Sequence, residues 1–517
     1  MLIKKQTNRI NLYDHQKQAL DAMNMSSTGQ ILMATGTGKT FVQAAHISQL
    51  LNEPSVISVI APRIMLTYQL MEEFNKYLAT LGLFPELMFV HSGGTGNEKE
   101  LSRARSKYNK NLEVIATTNS AEIKEKIQKA HSKNQSIVIF STYDSLERVG
   151  QGVAKAEQKV KCAIFDEAHY LVQDGYNKTL SNFQADQKYF FTATARHTKS
   201  DKSTGMNNVE LFGEVLYEFT IASAINAGMC VHPRGHILET DVEYNTDDFK
   251  KSIPKIIYRA AQEHQDQIYK ENEVRNNMRQ VKMLGALKGT GDIDSFYESE
   301  YCKQLIEEGY VIYAISSRHG AVVNSLENTL RRSKWLKDVK DSLRDPNKKV
   351  IVLHYDILSE GIDASDFSGV LLLRSMSISK FLQTFGRISR LDPEDRKAFA
   401  NGDYSPNDTE KMRKPYAYVI YPKFTKGNLD NSERFKEFIQ KMRTLGADLN
   451  DYVLNHEFGD GGGNDDPDEF LDDLEEKKRK MGKLIEEIYS DIESEEAAKK
   501  LYRITDVGSF FEALAAI

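Results

Sequence analysis

A chain of 517 residues with 40% apolar side chains is long enough for two to four domains, each with its own core. No run approaches the roughly 18 apolar residues of a membrane span, and the start, Met1-Leu-Ile-Lys-Lys5, lacks the apolar stretch of a signal peptide, so a cytoplasmic, membrane-free setting is expected. Net charge is −6, yet residues 460–496 alone hold 15 acidic and 5 basic side chains, which leaves about +4 for the remainder and a polyanionic partner allowed by charge.

The first predicted element is a short helix over Leu12–Leu20. Its Gln16 carries an amide, one donor and one acceptor, that suits an adenine edge; the alternative is a solvent-facing helix glutamine. Gln30-Ile-Leu-Met-Ala-Thr-Gly-Thr-Gly-Lys-Thr40 then reads as strand, turn and helix start. Gly36 and Gly38 allow a turn tight enough to aim amide N–H groups at a polyphosphate, flanked by Thr35 and Thr37. Lys39 adds a point charge and Thr40 a hydroxyl for Mg²⁺. Met33 stands where the strict phosphate-loop pattern has glycine.

A helix over 41–51 leads to the strand Val56–Arg63, a helix over 65–80, and two strands, Leu112–Thr118 and Ile137–Tyr143. In an open parallel sheet ligands sit beyond the carboxyl ends of the strands. These ends carry Pro62, Arg63, Thr117, Thr118, Ser141, Thr142 and Tyr143, which suit phosphodiester contacts or, equally, turn and cap chemistry. Lys161-Cys-Ala-Ile-Phe-Asp-Glu-Ala-His169 is an apolar strand that delivers Asp166 towards Mg²⁺ and Glu167 towards a water attacking a γ-phosphate. Tyr189–Arg196 is the next strand, and its Thr192 and Thr194 hydroxyls are placed to bridge those carboxylates to a second domain. Cys162, Cys230 and Cys302 are odd in number and widely spaced, as reduced packing residues are.

Residues 211–228 read as a crossing segment, 230–240 as a strand, and 249–279 as an inserted or connecting helix without chemistry of its own. Strands and helices then alternate: strand 281–287, helix 295–308, strand 311–316, helix 327–344, strands 350–354 and 370–373, and a helix from 379. Such alternation implies a second parallel sheet. Ser359-Glu-Gly-Ile-Asp363 follows the strand at 350, and Gln383-Thr-Phe-Gly-Arg-Ile-Ser-Arg390 sits on the last helix, with Arg387 and Arg390 three apart on one face. Two cations offered across a cleft stabilise the charge of a transferring phosphoryl group.

In this order the motifs resemble superfamily 2 helicases and translocases of the Asp-Glu-Ala-His type, and in wording those of phage and restriction-type DNA helicases, over residues 10–422. The resemblance implies an α/β fold of two tandem RecA-like parallel-sheet domains with a helical C-terminal extension: 1–222, 223–424 and 425–517. It implies an ATP hydrolase coupled to movement on nucleic acid, DNA favoured over RNA. Gln16, Thr35, Gly36, Thr37, Gly38, Lys39, Thr40, Gly361 and Asp363 would bind ATP, Thr40 and Asp166 the Mg²⁺, and Glu167 would be the base. His169, Thr192 and Thr194 would couple hydrolysis to strand movement, and Gln383, Arg387 and Arg390 would complete the catalytic site. An RNA helicase, or a motor subunit that unwinds nothing itself, are the alternatives.

Beyond 425 the chain changes character. Residues 459–467 form a Gly- and Asp-rich linker, and the charged stretch 468–492 places its apolar residues on one helix face, for docking on its own chain or on a protein partner. Pro467-Asp468 with Glu475-Glu-Lys477 superficially matches a nuclease pattern, but that chemistry wants Glu-x-Lys on a strand and this stretch has helical period.

Overall fold

The computed structural model describes residues 12–91, 113–115, 119–172, 174–198, 204–243, 246–275, 277–316, 318–354, 366–374, 384–386, 388–405 and 408–424. The expectations for 425–517, including the linker and the charged helix, fall outside these residues. Residues 1–234 and 238–449 form one compact unit, which contains the motifs discussed below.

The first sheet has eight strands: β1 (Thr28–Met33), β2 (Val56–Ala61), β3 (Glu86–Val90), β4 (Glu113–Ile115), β5 (Ile137–Thr142), β6 (Val160–Asp166), β7 (Ala185–Thr192) and β8 (Val215–Phe219). Their order is β4-β3-β5-β2-β6-β7-β1-β8, parallel at every pairing. Every residue of β2 and β5 is buried, as expected for strands covered on both faces, which read as continuous apolar runs instead of alternating ones. Helices α1 (Asp14–Asn24), α2 (Lys39–Leu50) and α3 (Ile64–Thr80) precede or connect the strands, and further helices cover Ser120–Ser132 and Leu146–Lys155. The latter two carry Ile123, Ile127, Leu146 and Val149 into a core with Ile137, Ile139, Phe165 and Phe190.

Two strands of this sheet go beyond the sequence reading. β3 follows the apolar face of α3 with only a short turn between, so its five residues resemble a continuation of that helix. β8 lies within the segment read as a crossing; it is an edge strand with exposed positions and a register shift against β1 between Gln30 and Ile31, which blurs any alternation.

The second sheet is formed by β9 (His232–Glu239), β10 (Lys282–Ala286), β11 (Tyr310–Ser316), β12 (Gly320–Val323), β13 (Thr329–Leu330), β14 (Lys349–His354), β15 (Gly369–Leu372) and β16 (Tyr416–Lys423), in the order β13-β12-β11-β14-β10-β15-β16-β9. The run from β11 to β16 is parallel, whereas β12 and β13 are added antiparallel at the edge, a meander not foreseen from the sequence. Helix Asp247–Arg275 is the 249–279 segment. Ile253, Ile256, Ile257, Ala260 and Ile268 pack it onto Met283, Leu371 and Tyr418, so it is a cover of this sheet's core and not an appendage. The helix expected near 295–308 is two, Thr290–Tyr297 and Glu300–Glu307, the second capped by the Ser299 hydroxyl.

In the sheet order β6-β7-β1 the three strands leading to the phosphate loop, to Asp166 and to Thr192 are neighbours and parallel. Their carboxyl ends therefore emerge side by side.

Candidate active site

β1 ends at Met33 and α2 begins at Lys39; the five residues between make the turn. Gly36 and Gly38 have φ of 87° and 85°, a left-handed backbone that costs glycine little and other residues more. The turn is buttressed from α1: Gln16 Nε2 donates to the Thr37 carbonyl at 3.0 Å, and His15 Nε2 lies 2.8 Å from the same oxygen. Gln16 Oε1 in turn accepts from the Tyr13 amide at 3.0 Å, so Gln16 is buried with both ends of its amide engaged. It is therefore not the solvent-facing glutamine of the alternative, and reading an adenine edge would require it to exchange partners. The Thr37 hydroxyl donates to the Ala34 carbonyl at 2.7 Å and Lys39 Nζ to the Met33 carbonyl at 3.2 Å. The first turn of α2, with its N–H groups and dipole, is the kind of surface that takes an anion.

Asp166 ends β6 and is 8% exposed. Gln43 Nε2 donates to its Oδ1 at 2.8 Å, and the Tyr143 hydroxyl donates to its carbonyl at 2.6 Å. Burial, and then the charge of Glu167, push the Asp166 carboxyl up to about 7, against the opposing pull of Lys39 and Gln43. Glu167 has φ of 50°, an uncommon conformation for a residue with a Cβ. Its Oε2 is shielded from solvent, makes no hydrogen bond among the described residues and lies 3.4 Å from His169 Nδ1. A carboxylate oxygen left in this state is a ready acceptor for a proton or a water.

His169 Nδ1 lies 3.0 Å from Thr192 Oγ1, which donates to the Thr194 carbonyl at 3.0 Å. With the hydroxyl proton so used, the contact is satisfied by a His169 carrying its proton on Nδ1. Burial lowers the His169 pKa, which favours the neutral ring. Thr194 Oγ1 is shielded and makes no hydrogen bond among the described residues.

The second sheet's residues reach the phosphate loop at two points. A Cβ on Gly386 would stand 2.8 Å from Thr35 Cβ, and one on Gly36 would stand 3.2 Å from Arg390 Nε. Close approach therefore requires glycine at 386, whereas at Gly36 it is the left-handed backbone that does so. Burial lowers the pKa of the Arg390 guanidinium, and Glu73 of α3 exerts the opposing pull of a nearby carboxylate. Burial raises the pKa of Glu73, and the nearby Thr40 side chain pulls it back down. Gln383, Arg387, Gly361 and Asp363 lie outside the described residues, as do Thr117 and Thr118.

The residues that would hold a Mg²⁺ offer hard oxygens: the Thr40 hydroxyl and the Asp166 carboxylate, with Glu167 adjacent. Mg²⁺ is ordinarily held by one or two protein oxygens together with substrate phosphates and water, so this sparse set fits it. Among the described residues no cluster of three or more His, Cys, Asp or Glu side chains forms a dedicated metal cage.

The surface expected to meet a phosphodiester strand is narrower than the sequence suggests. Arg63 is exposed at the start of α3, and Pro62 is half-buried beside it. Ser141, Thr142 and Tyr143 are 0%, 3% and 2% exposed; the Thr142 hydroxyl faces Ser145 at 3.2 Å, and Tyr143 is spent on Asp166. These three are therefore removed from the expected contact surface: Ser141 is shielded from solvent altogether, and the buried hydroxyls of Thr142 and Tyr143 are engaged inside the chain. Gln43, Glu73 and His15 were not singled out from the sequence. Gln43 had a usable signal, one helical turn beyond Lys39 on the same face; the other two had none.

Residues 9–197 match the family model described as Type III restriction enzyme, res subunit. Among solved structures the chain is similar to the ATP-dependent Type ISP restriction-modification enzyme LlaBIII bound to DNA, with TM-score 0.60 and 17% identity over 90% of this chain and 32% of that one. It is similar too to a nuclease-deletion mutant of the Type ISP restriction-modification enzyme LlaGI in complex with a DNA substrate mimic, with TM-score 0.54 and 18% identity over 95% of this chain and 35% of that one. The chain thus spans about a third of the length of each. At such identities the likeness is one of fold, that of tandem RecA-like helicase domains. No curated protein matches the chain. Among the described residues no helix is long and apolar enough to cross a membrane.

Proposed function

We propose that the chain is an ATP-dependent motor of the superfamily 2 type, moving on or unwinding DNA. The observation that carries this reading is the approach of Arg390 and Gly386, from the second sheet's side, to Gly36 and Thr35 of the phosphate loop. It supplies a cation from one lobe to a phosphate site in the other, the arrangement in which closing the cleft completes a phosphoryl-transfer site. The lobes are proposed as residues 1–222 and 223–424, with 425–517 as a C-terminal extension.

In this reading Gly36, Gly38 and the first turn of α2 hold the phosphates, with Lys39 released from the Met33 carbonyl to meet them. Thr40 and Asp166 hold Mg²⁺, which neutralises and orients the phosphates when bound. Glu167 accepts a proton from the attacking water, and Arg390 stabilises the charge that develops on the equatorial oxygens. His169, Thr192 and Thr194 form a hydrogen-bonded path from the base to the strand end, through which nucleotide state is passed on. Arg63 and Pro62 belong to the nucleic-acid surface. DNA is favoured over RNA because the two solved structures above are DNA complexes and the motif wording is of that kind. A second reading is a motor subunit that unwinds nothing itself and drives separate nuclease or methylase chains; the likeness to Type ISP restriction-modification enzymes supports it.

The test is an ATPase and strand-displacement panel over single-stranded, forked and blunt DNA and RNA. Stimulation by DNA is expected, with ATP turnover abolished in Lys39→Ala. Glu167→Gln should bind ATP and lose about 10²- to 10⁴-fold in turnover, the usual contribution of a positioned base. Wild-type turnover in Glu167→Gln, or an ATPase indifferent to every nucleic acid, overturns the proposal. Stimulation by RNA alone would replace DNA with RNA, and stimulation without displacement selects the motor-subunit reading.

A further inference from the structure

Arg390 is not on a regular helix where it meets the phosphate loop; the turn that carries it is held from behind. Lys414, 3% exposed just before β16, donates from Nζ to the carbonyls of Ile388 at 2.8 Å and Arg390 at 2.9 Å. The residues on either side are tied as well: the Val231 amide donates to the Ser389 carbonyl at 2.6 Å, and Cys230 and Arg390 form an isolated antiparallel bridge. Lys414 itself is held by Asp395, which is 0% exposed and accepts from the amides of Arg413 at 2.7 Å and Lys414 at 2.9 Å and from the Tyr404 hydroxyl at 2.7 Å.

We propose that Lys414, braced by Asp395, is the positioning residue of the Arg390 finger: its ammonium gathers the two carbonyls of the turn and so fixes the distance from the Arg390 side chain to the phosphate loop. This rests on the reading of Arg390 as the finger. The physical argument is one of geometry. A buried amine must find acceptors for its N–H groups, and here the acceptors are the main-chain oxygens of Arg390, whose reach matters, and of Ile388 two residues before it. Backbone at the end of a helix has carbonyls with no intrahelical partner. Lys414 supplies that partner for Ile388 and Arg390, beside the ties from Val231 and Cys230, and so holds Arg390 towards Gly36. The role is indirect: Lys414 Nζ binds the main chain of the finger and no part of a nucleotide. Misplacing a reacting group by about 1 Å costs on the order of 10²-fold in rate, which sets the size of the effect expected.

The experiment is a double-variant cycle on the full chain with Lys414→Met, which keeps length and packing volume, and Arg390→Ala, each read for ATP-analogue affinity, thermal melting and DNA-stimulated single-turnover hydrolysis. Lys414→Met should bind the analogue within about twofold of wild type and hydrolyse about 10- to 100-fold more slowly. Added to Arg390→Ala it should cost nothing further, because residues acting through one contact are not additive. A merely structural lysine would lower the melting temperature and slow both backgrounds by the same factor, and that result overturns the proposal, as does wild-type hydrolysis in folded Lys414→Met. Should Lys414→Met not fold, Asp395→Asn takes its place: slower hydrolysis with retained affinity and no further loss beside Arg390→Ala supports the proposal, and independent loss overturns it. Wild-type turnover in Arg390→Ala alone removes the finger itself, and is distinguishable because it concerns the variant in which Lys414 is untouched.

Discussion

At the scale of single residues the site is built from groups held in states they would not choose in water. Asp166 has a folded pKa of about 7 against an ordinary 3.8. Between those values the folded chain holds a proton that the unfolded chain has lost, so stability falls as pH rises from about 4 to 7 and is level above. Neutral Asp166→Asn escapes that loss. In buffer free of nucleotide and metal it should melt a few degrees above the wild type at pH 8, a gain on the order of 1–2 kcal/mol, with the difference vanishing towards pH 4. Differential scanning fluorimetry across that range checks it, and a variant that melts lower at pH 8 contradicts the assigned direction. In the proposed site the same destabilisation is what a bound cation would relieve, since burial disfavours the charged carboxylate until a positive charge meets it.

Elements matter here by what they let approach. The turn after Phe385 reaches Thr35 because residue 386 lacks a side chain, and a Cβ there would force two main chains apart. Gly386→Val should therefore bind ATP through the intact phosphate loop yet lose at least about tenfold in DNA-stimulated turnover, as misplaced catalytic groups do. Thr35→Gly in the same chain, which removes the opposing Cβ, should return part of the rate. If Gly386→Val turns over normally, the close approach does not belong to the working conformation. Helix Asp247–Arg275 illustrates the other task of an element, filling a core. Ile257 is 0% exposed within that packing, and Ile257→Ala should cost about 2–5 kcal/mol in denaturant unfolding. A change below about 0.5 kcal/mol, the range of ordinary surface substitutions, would return the helix to the status of an insert.

For the whole molecule the question is how a chain of net charge −6 meets a polyanion. Charge concentrated in residues 460–496 leaves the remainder about +4, and counterion release depends on local phosphate contacts and not on the total. Affinity for DNA should fall at least tenfold between about 50 and 200 mM salt, with a slope reduced by about one in Arg63→Ala. Fluorescence anisotropy at constant pH measures both; an affinity indifferent to salt removes phosphate contacts as the basis of binding.

What the chain's order of residues determined by itself is local chemistry. Gly36 and Gly38 announce a tight turn between strand and helix because each acts through its own backbone, and the apolar runs ending at Asp166 and Thr192 announce buried parallel strands. The alternation of strand and helix after residue 281 was enough for a second sheet. Tertiary structure decided which way side chains at strand ends face. Tyr143 follows β5 through a short 3-10 turn that rotates it inward onto the Asp166 carbonyl, whereas Arg63, at the equivalent end of β2, stays outside. Nothing within a few residues of either position separates the two, because the difference lies in what is packed above each strand end. The pairs that shape the site, Gln16 with Thr37, Gln43 with Asp166, Arg390 with Gly36 and Lys414 with Arg390, join segments that only strand order and lobe approach bring together. A hydrogen bond or close contact depends on distances of a few tenths of an ångström, and those are set by packing of the whole and not by the periodicity of any one segment.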